Sequence, residues 1–104
     1  MRESLKNLMK ANELYHQGIE LGRKGFYQEA ISNYTQAIAL NPNFAEAYVS
    51  LAIVRYLTED EQGGFEDLNK ALNIYKDRRD TQRYNIVLDM VQHIQRETEW
   101  EKNP

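Results

Sequence analysis

Set against itself at an offset of 34 residues, the chain aligns small positions with small ones and large positions with large ones. Ala11 falls on Ala45, Leu14 on Tyr48, Gly18 on Ala52, Ala30 on Gly64, Tyr34 on Leu68, Ala37 on Ala71 and Leu40 on Ile74. Two helices cross closely only where one of them presents a small side chain, and large neighbours then fill the remaining space. A period of this length therefore predicts stacked helix-turn-helix units, none of which can bury its apolar face alone.

Local signals place the elements. Residues 4–24 carry a helical pattern with Leu14, Gly18 and Leu21 on one face, and Gly25 can end it by accepting a left-handed backbone. Phe26 and Tyr27 open a second helix with Ala30, Ile31, Tyr34, Ala37, Ile38 and Leu40 at helical spacing, and Pro42 forbids its continuation. Asn43 followed by Glu46 reads as a capping box for a third helix that runs to about Leu57, with Tyr48, Leu51 and Ala52 inward. Glu59, Asp60 and Glu61 suit the positive start of a fourth helix bearing Phe65, Leu68, Ala71, Leu72 and Ile74. After it the strict period would bury Gln82, Asn85 and Asp89. A two-residue insertion within 76–81 buries Tyr84, Val87, Leu88 and Val91 instead, so the terminal helix is expected in that shifted register over residues 80–97.

The stretch from Ala11 to Phe44 resembles a tetratricopeptide repeat along its whole length, through Gly18, Gly25, Tyr27, Ala30, Tyr34, Ala37 and Pro42. Ala45 to Arg78 resembles a second, more divergent copy. Gln17 stands where that family usually has leucine, Arg55 where it has an aromatic residue, and Glu59 and Lys76 replace the usual turn glycine and proline. Gly64 occupies a place where the family prefers alanine, so Gly64→Ala is expected to stabilise by about 0.5–1 kcal/mol. The resemblance implies an all-α, right-handed helix-turn-helix repeat stack forming one domain over 1–104. Its parts would be a helical extension at 1–10, repeats at 11–44 and 45–78, a capping helix at 80–97 and a tail at 98–104 in which Trp100 can fold back.

Chemistry is sparse. A net charge of −3 lacks the basic footprint of a nucleic-acid binder, and no apolar run is long enough for a signal peptide or a membrane span. The absence of cysteine removes disulfides and thiolate sites and suits a reducing compartment, so the expected location is cytoplasmic. His16 with Glu20 is a chance pairing on a charged helix, and Gln62-Gly63-Gly64 lacks the lysine and hydroxyl of a phosphate loop. No catalytic residue, metal site or cofactor is expected.

In such repeats the first helix of each unit lines a concave groove. The resemblance implies a groove of Asn12, Tyr15, His16, Ile19 and Arg23, then Val49, Ser50, Ile53, Tyr56 and Leu57, with Asn85, Ile86, Asp89 and His93 from the terminal helix. A contiguous apolar and aromatic patch marks an interaction surface, and aromatic anchors are what binding hot spots are made of. The expected function is a non-enzymatic scaffold holding an apolar or aromatic segment of another protein or peptide. The family's carboxylate clamp for chaperone tails is not expected, since the matching places hold Tyr15, Ile19, Ser50, Gln82 and Ile86 and none of them is a cation. Leu5, Leu8, Asn12, Tyr15, Ile19 and Gly22 also recur at coiled-coil spacing, which supports an alternative in which the chain is a homodimerisation module.

Overall fold

The computed structural model describes the backbone of residues 2–102 and the side chains of residues 4–97; the expected placement of Trp100 lies outside the described side chains. Among the described residues five helices follow one another: α1 (Arg2–Arg23), α2 (Tyr27–Leu40), α3 (Ala45–Leu57), α4 (Glu61–Asp77) and α5 (Thr81–Lys102). No strand occurs among the described residues. The terminal helix thus continues past residue 97, where the sequence suggested an end.

Small residues make the crossings. Ala11, Ala30, Ala37, Ala45 and Ala71 are wholly buried, and Ala52 nearly so. A Cβ on Gly18 would stand 2.6 Å from Cε1 of Tyr34, itself buried, so α1 and α2 meet at a contact that admits no methyl group. At the equivalent crossing of α3 and α4, a Cβ on Gly64 would stand 2.9 Å from the carbonyl oxygen of Ala52. A flexible side chain could move aside, but backbone cannot, and the expected gain from Gly64→Ala is overturned. Leu68, Leu72, Tyr75, Val87 and Val91 fill the space around the α3–α4–α5 junction. Val87 and Val91 are buried while Gln82, Asn85 and Asp89 are exposed, so α5 takes the shifted register.

Three of the four turns share one device. Gly25 N–H donates to Gly22 O and Phe26 N–H to Leu21 O, with Gly25 at φ 86°. The same pair of bonds recurs at Glu59 and Asp60, and again at Arg79 and Asp80, with Glu59 at φ 70° and Arg79 at φ 56°. This is a Schellman ending, which satisfies the last free carbonyls of a helix but requires a left-handed residue. Only the first copy supplies glycine there. The hinge between α4 and α5 is therefore built like the turn inside a repeat, not like the proline turn at Pro42.

The capping box expected at Asn43 and Glu46 does not form. Phe44 is the N-cap of α3 and makes no side-chain capping bond. The helix begins too late for Asn43 to reach it; the Asn43 carbonyl instead accepts from the Arg78 guanidinium. The acidic start of α4 does cap, with the Asp60 carboxylate accepting from Gly63 N–H at 3.0 Å. Where the family would place an aromatic, Arg55 reaches from α3 to the buried Asp67 of α4, Nη1 to Oδ2 at 2.7 Å, and to Asp60 at 3.8 Å.

Candidate functional site

The alternation of turns makes α1, α3 and α5 run the same way. Tyr15, halfway along α1, packs at a tilt against Phe44 at the start of α3, while Gly22, near the end of α1, faces Val54 near the end of α3. Likewise the starts of α3 and α5 share one cleft and their later turns share another. Both clefts lie between α3 and α5, and Tyr15 of α1 reaches the first of them.

Two clefts open along the seam between α3 and α5. The first, about 210 Å³, is lined by Tyr15, Glu46, Val49, Ser50, Tyr75, Arg83, Ile86, Val87 and Met90. The second, about 180 Å³ and walled mainly by apolar side chains, is lined by Ala52, Ile53, Tyr56, Leu57, Leu68, Met90, His93 and Ile94. Met90 is common to both and stands between them. Ile53, Leu57 and Ile86 are 45%, 57% and 56% exposed, well above what an aliphatic side chain meets in a core.

The expected groove residues are distributed unevenly over this surface. Tyr15, Val49, Ser50 and Ile86 come together in the first cleft, and Ile53, Tyr56 and Leu57 join His93 in the second. Ile19 packs against the core around Ala30, Tyr34, Leu51 and Val54. Asn12, His16, Arg23, Asn85 and Asp89 are exposed and line neither cleft; His16 lies edge-on to Tyr15, and Arg23 pairs with Glu20 at 3.1 Å. The coiled-coil stripe on α1 is divided, because Tyr15 and Ile19 are half-buried by the chain's own helices while Leu5 and Leu8 remain exposed.

Several lining residues were missed by sequence reasoning. Tyr75 comes from α4, a helix given no part in the expected groove, and lines the first cleft. Arg83 and Glu46 were assigned to no surface, and Met90 lies one turn beyond Ile86, a spacing that could have revealed it. Burial, and then the negative field of Glu46, push the Tyr75 phenol up to about 12, so it stays protonated and able to donate. Burial also raises the Tyr34 phenol, against an opposing hydrogen bond with Ser50 from the groove side. At the far end the Tyr56 hydroxyl donates to Glu97 at 2.7 Å, and His93 lies 3.1 Å from the same carboxylate. Among the described residues no group of three His, Asp or Glu side chains could hold a metal ion, and no helix is long and apolar enough to cross a membrane. The site offers apolar clefts with polar rims.

Paired antiparallel helices with small residues at each crossing define a helical-repeat protein. The family model described as TPR repeat matches residues 18–58. Tetratricopeptide repeat protein 36 of Mus musculus is 36% identical over 78 residues, covering 75% of this chain and 41% of that protein. An uncharacterized protein of Methanocaldococcus jannaschii is 35% identical over 48 residues, covering 46% of this chain and 56% of the relative. The chain thus spans about half the length of the curated relatives it matches. With fold and comparisons in agreement, the chain belongs to the tetratricopeptide-repeat family, whose repeats generally mediate protein–protein interaction.

Proposed function

We propose that this protein is a non-enzymatic, cytoplasmic adaptor that holds an apolar or aromatic segment of a partner protein against the seam between α3 and α5. The observation that carries this reading is the exposure of Ile53, Leu57 and Ile86 beside two clefts on one face. Exposed apolar side chains gathered around concavities are covered at favourable cost only by a complementary partner. Tyr15 and Tyr56 add rigid aromatic walls, the residue type that carries most binding energy in such contacts.

The test is Ile53→Glu. This side chain is exposed, so the variant should keep its helical signal and cooperative melt. A partner captured from the native source should be lost, because covering an unpaired carboxylate costs several kcal/mol, of order 2–5. Outward-facing Glu66→Lys should leave capture unchanged. Unfolding of Ile53→Glu, or unaltered capture, refutes the groove assignment.

A second reading, self-association, is favoured by one separate observation. Leu5, Leu8 and Met9 on the first turns of α1 are 61%, 45% and 64% exposed. Sedimentation over a range of concentrations separates the two: a dimer lost in Leu5→Glu but kept in Ile53→Glu supports self-association through α1, and a strict monomer excludes it.

A further inference from the structure

α1 is longer than its part in the first repeat requires. Counted 34 residues back from α3, which starts at Ala45, the repeat begins at Ala11, yet α1 begins at Arg2. The residues 2–10 carry the helix about 13 Å beyond that point. From Ser4 to Lys10 every side chain is exposed, Leu5, Leu8 and Met9 among them. The projection overhangs Leu40, the last residue of α2. A cleft of about 590 Å³ opens there between Leu5, Met9 and Leu40, with Lys6, Lys10 and Glu13 around it.

The stack itself gives neither end a place for head-to-tail assembly. α3 meets α2 through Leu51 and Val54, both buried. The matching places on α1 are Gln17 and Glu20, both exposed, the first accepting from Asn33 at 3.3 Å and the second paired with Arg23. On α5, the shifted register sets Leu88 where Gly18 and Ala52 admit α2 and α4, so a further helix cannot come as close. Head-to-tail contacts need two unlike complementary patches, whereas a single patch suffices for a twofold pair. The overhang is such a patch, with an apolar ridge and a cleft on the same two turns.

Charge fixes the sense of the pairing. Lys6 makes no ion pair with a described carboxylate, and among the described residues Glu13 holds only Lys10, at 3.4 Å. Lys6 and Glu13 lie on one flank of α1, beside Met9. Antiparallel helices related by a twofold axis at Met9 bring that flank against itself, so Lys6 of each copy reaches Glu13 of the other. Parallel helices would set the same flank against Ser4 and Leu8 and pair neither charge.

Resting on the self-association reading and deepening it, we propose that two copies of this chain form a closed, antiparallel dimer through the overhang of α1. Leu5 and Met9 of each copy enter the cleft beside Leu40 of the other. Stable dimers bury about 800 Å² per partner, more than two helical turns and a ledge present, so the pair is weak, with a Kd of about 10–100 μM. Leu5 and Met9 line neither cleft of the α3–α5 seam, so pairing leaves both seams open and makes the adaptor bivalent.

Sedimentation equilibrium between about 10 μM and about 1 mM protein measures the association. Leu5→Ser with Met9→Ser should weaken it about tenfold or more and keep the melt, since both side chains are exposed. Lys6→Glu and Glu13→Lys should each weaken it severalfold at low salt, and an equimolar mixture of the two variants should recover it as a heterodimer. The chain has no cysteine, so single replacements report the geometry. Met9→Cys should oxidise to a covalent dimer, and Leu5→Cys, about 12 Å from its counterpart along the helix axis, should not. A dimer that crosslinks through Leu5→Cys, or that mixing does not recover, overturns the antiparallel pairing and leaves self-association standing. A dimer untouched by Leu5→Ser with Met9→Ser, or assemblies that keep growing with concentration, overturns the overhang as the contact. A monomer throughout the range overturns the inference together with the reading beneath it.

Discussion

Gly64→Ala separates two physical effects that normally act together. A glycine inside a helix costs about 1 kcal/mol relative to alanine, so replacing it should stabilise α4. Gly64, however, lies against α3, where the new methyl carbon would stand 2.9 Å from Ala52 O, 3.6 Å from Tyr56 N and 3.7 Å from Ala52 C. Ordinary carbon–oxygen contact is near 3.4 Å or longer, so the two helices must part by about 0.5 Å along their tightest line. Overpacking of this kind costs roughly 1–3 kcal/mol, and the helical gain offsets part of it. The expected net effect is a loss of about 1 kcal/mol, or a fall in Tm of about 4–8 °C for a domain of this size. Urea unfolding followed by far-ultraviolet circular dichroism measures it. Gly22→Ala is the matched contrast: its methyl would meet Val54 Cγ2 at 3.9 Å and Ala30 Cβ at 4.0 Å, ordinary contacts, so it should gain about 0.5 kcal/mol. A raised midpoint for Gly64→Ala would mean that α3 and α4 cross more loosely than the structure has them, and the steric reasoning would fail.

Glu59→Gly and Arg79→Gly should each stabilise by about 0.5–1 kcal/mol, because a left-handed residue with a Cβ costs 1–2 kcal/mol and glycine recovers more than its added unfolded-state freedom takes away; an unchanged or lowered urea midpoint in both would show that the turns carry no strain. Arg55→Met should destabilise by roughly 3 kcal/mol at neutral pH by leaving the Asp67 carboxylate buried without its cation. Burial already raises the Asp67 carboxyl, with Arg55 pulling it down, and without Arg55 it rises further. A raised folded value contributes stability that is fully present below the unfolded carboxylate range, near pH 4, and lost as pH climbs through the raised value. The deficit of Arg55→Met should therefore be smallest in acid and grow toward neutrality, and a deficit independent of pH would rule out an ionised Asp67 as its cause.

How much could be read beforehand depended on range. The helices, the register of α5 and the inward Val87 and Val91 follow from apolar spacing within one segment, and that spacing is local. Tyr15, Ile53 and Ile86 were also legible as surface candidates, since the family resemblance implies that the first helix of each repeat and the terminal helix line one side. Asn12, His16, Arg23, Asn85 and Asp89 share that period yet line neither cleft, because being on a helical face does not decide whether a neighbouring helix comes close enough to make a concavity.

Sequence by itself determined that this chain is an all-helical repeat, since alternating small and large residues at a fixed interval leave an amphipathic helix no better way to bury its face. Tertiary structure alone decided what Gly64 is for, because the room for a Cβ beside the Ala52 carbonyl depends on how two helices settle against one another. It alone brought Tyr75 from α4 and Met90 from α5 to the same seam, and made Glu59 and Arg79 adopt a glycine's conformation at turns that long-range packing requires.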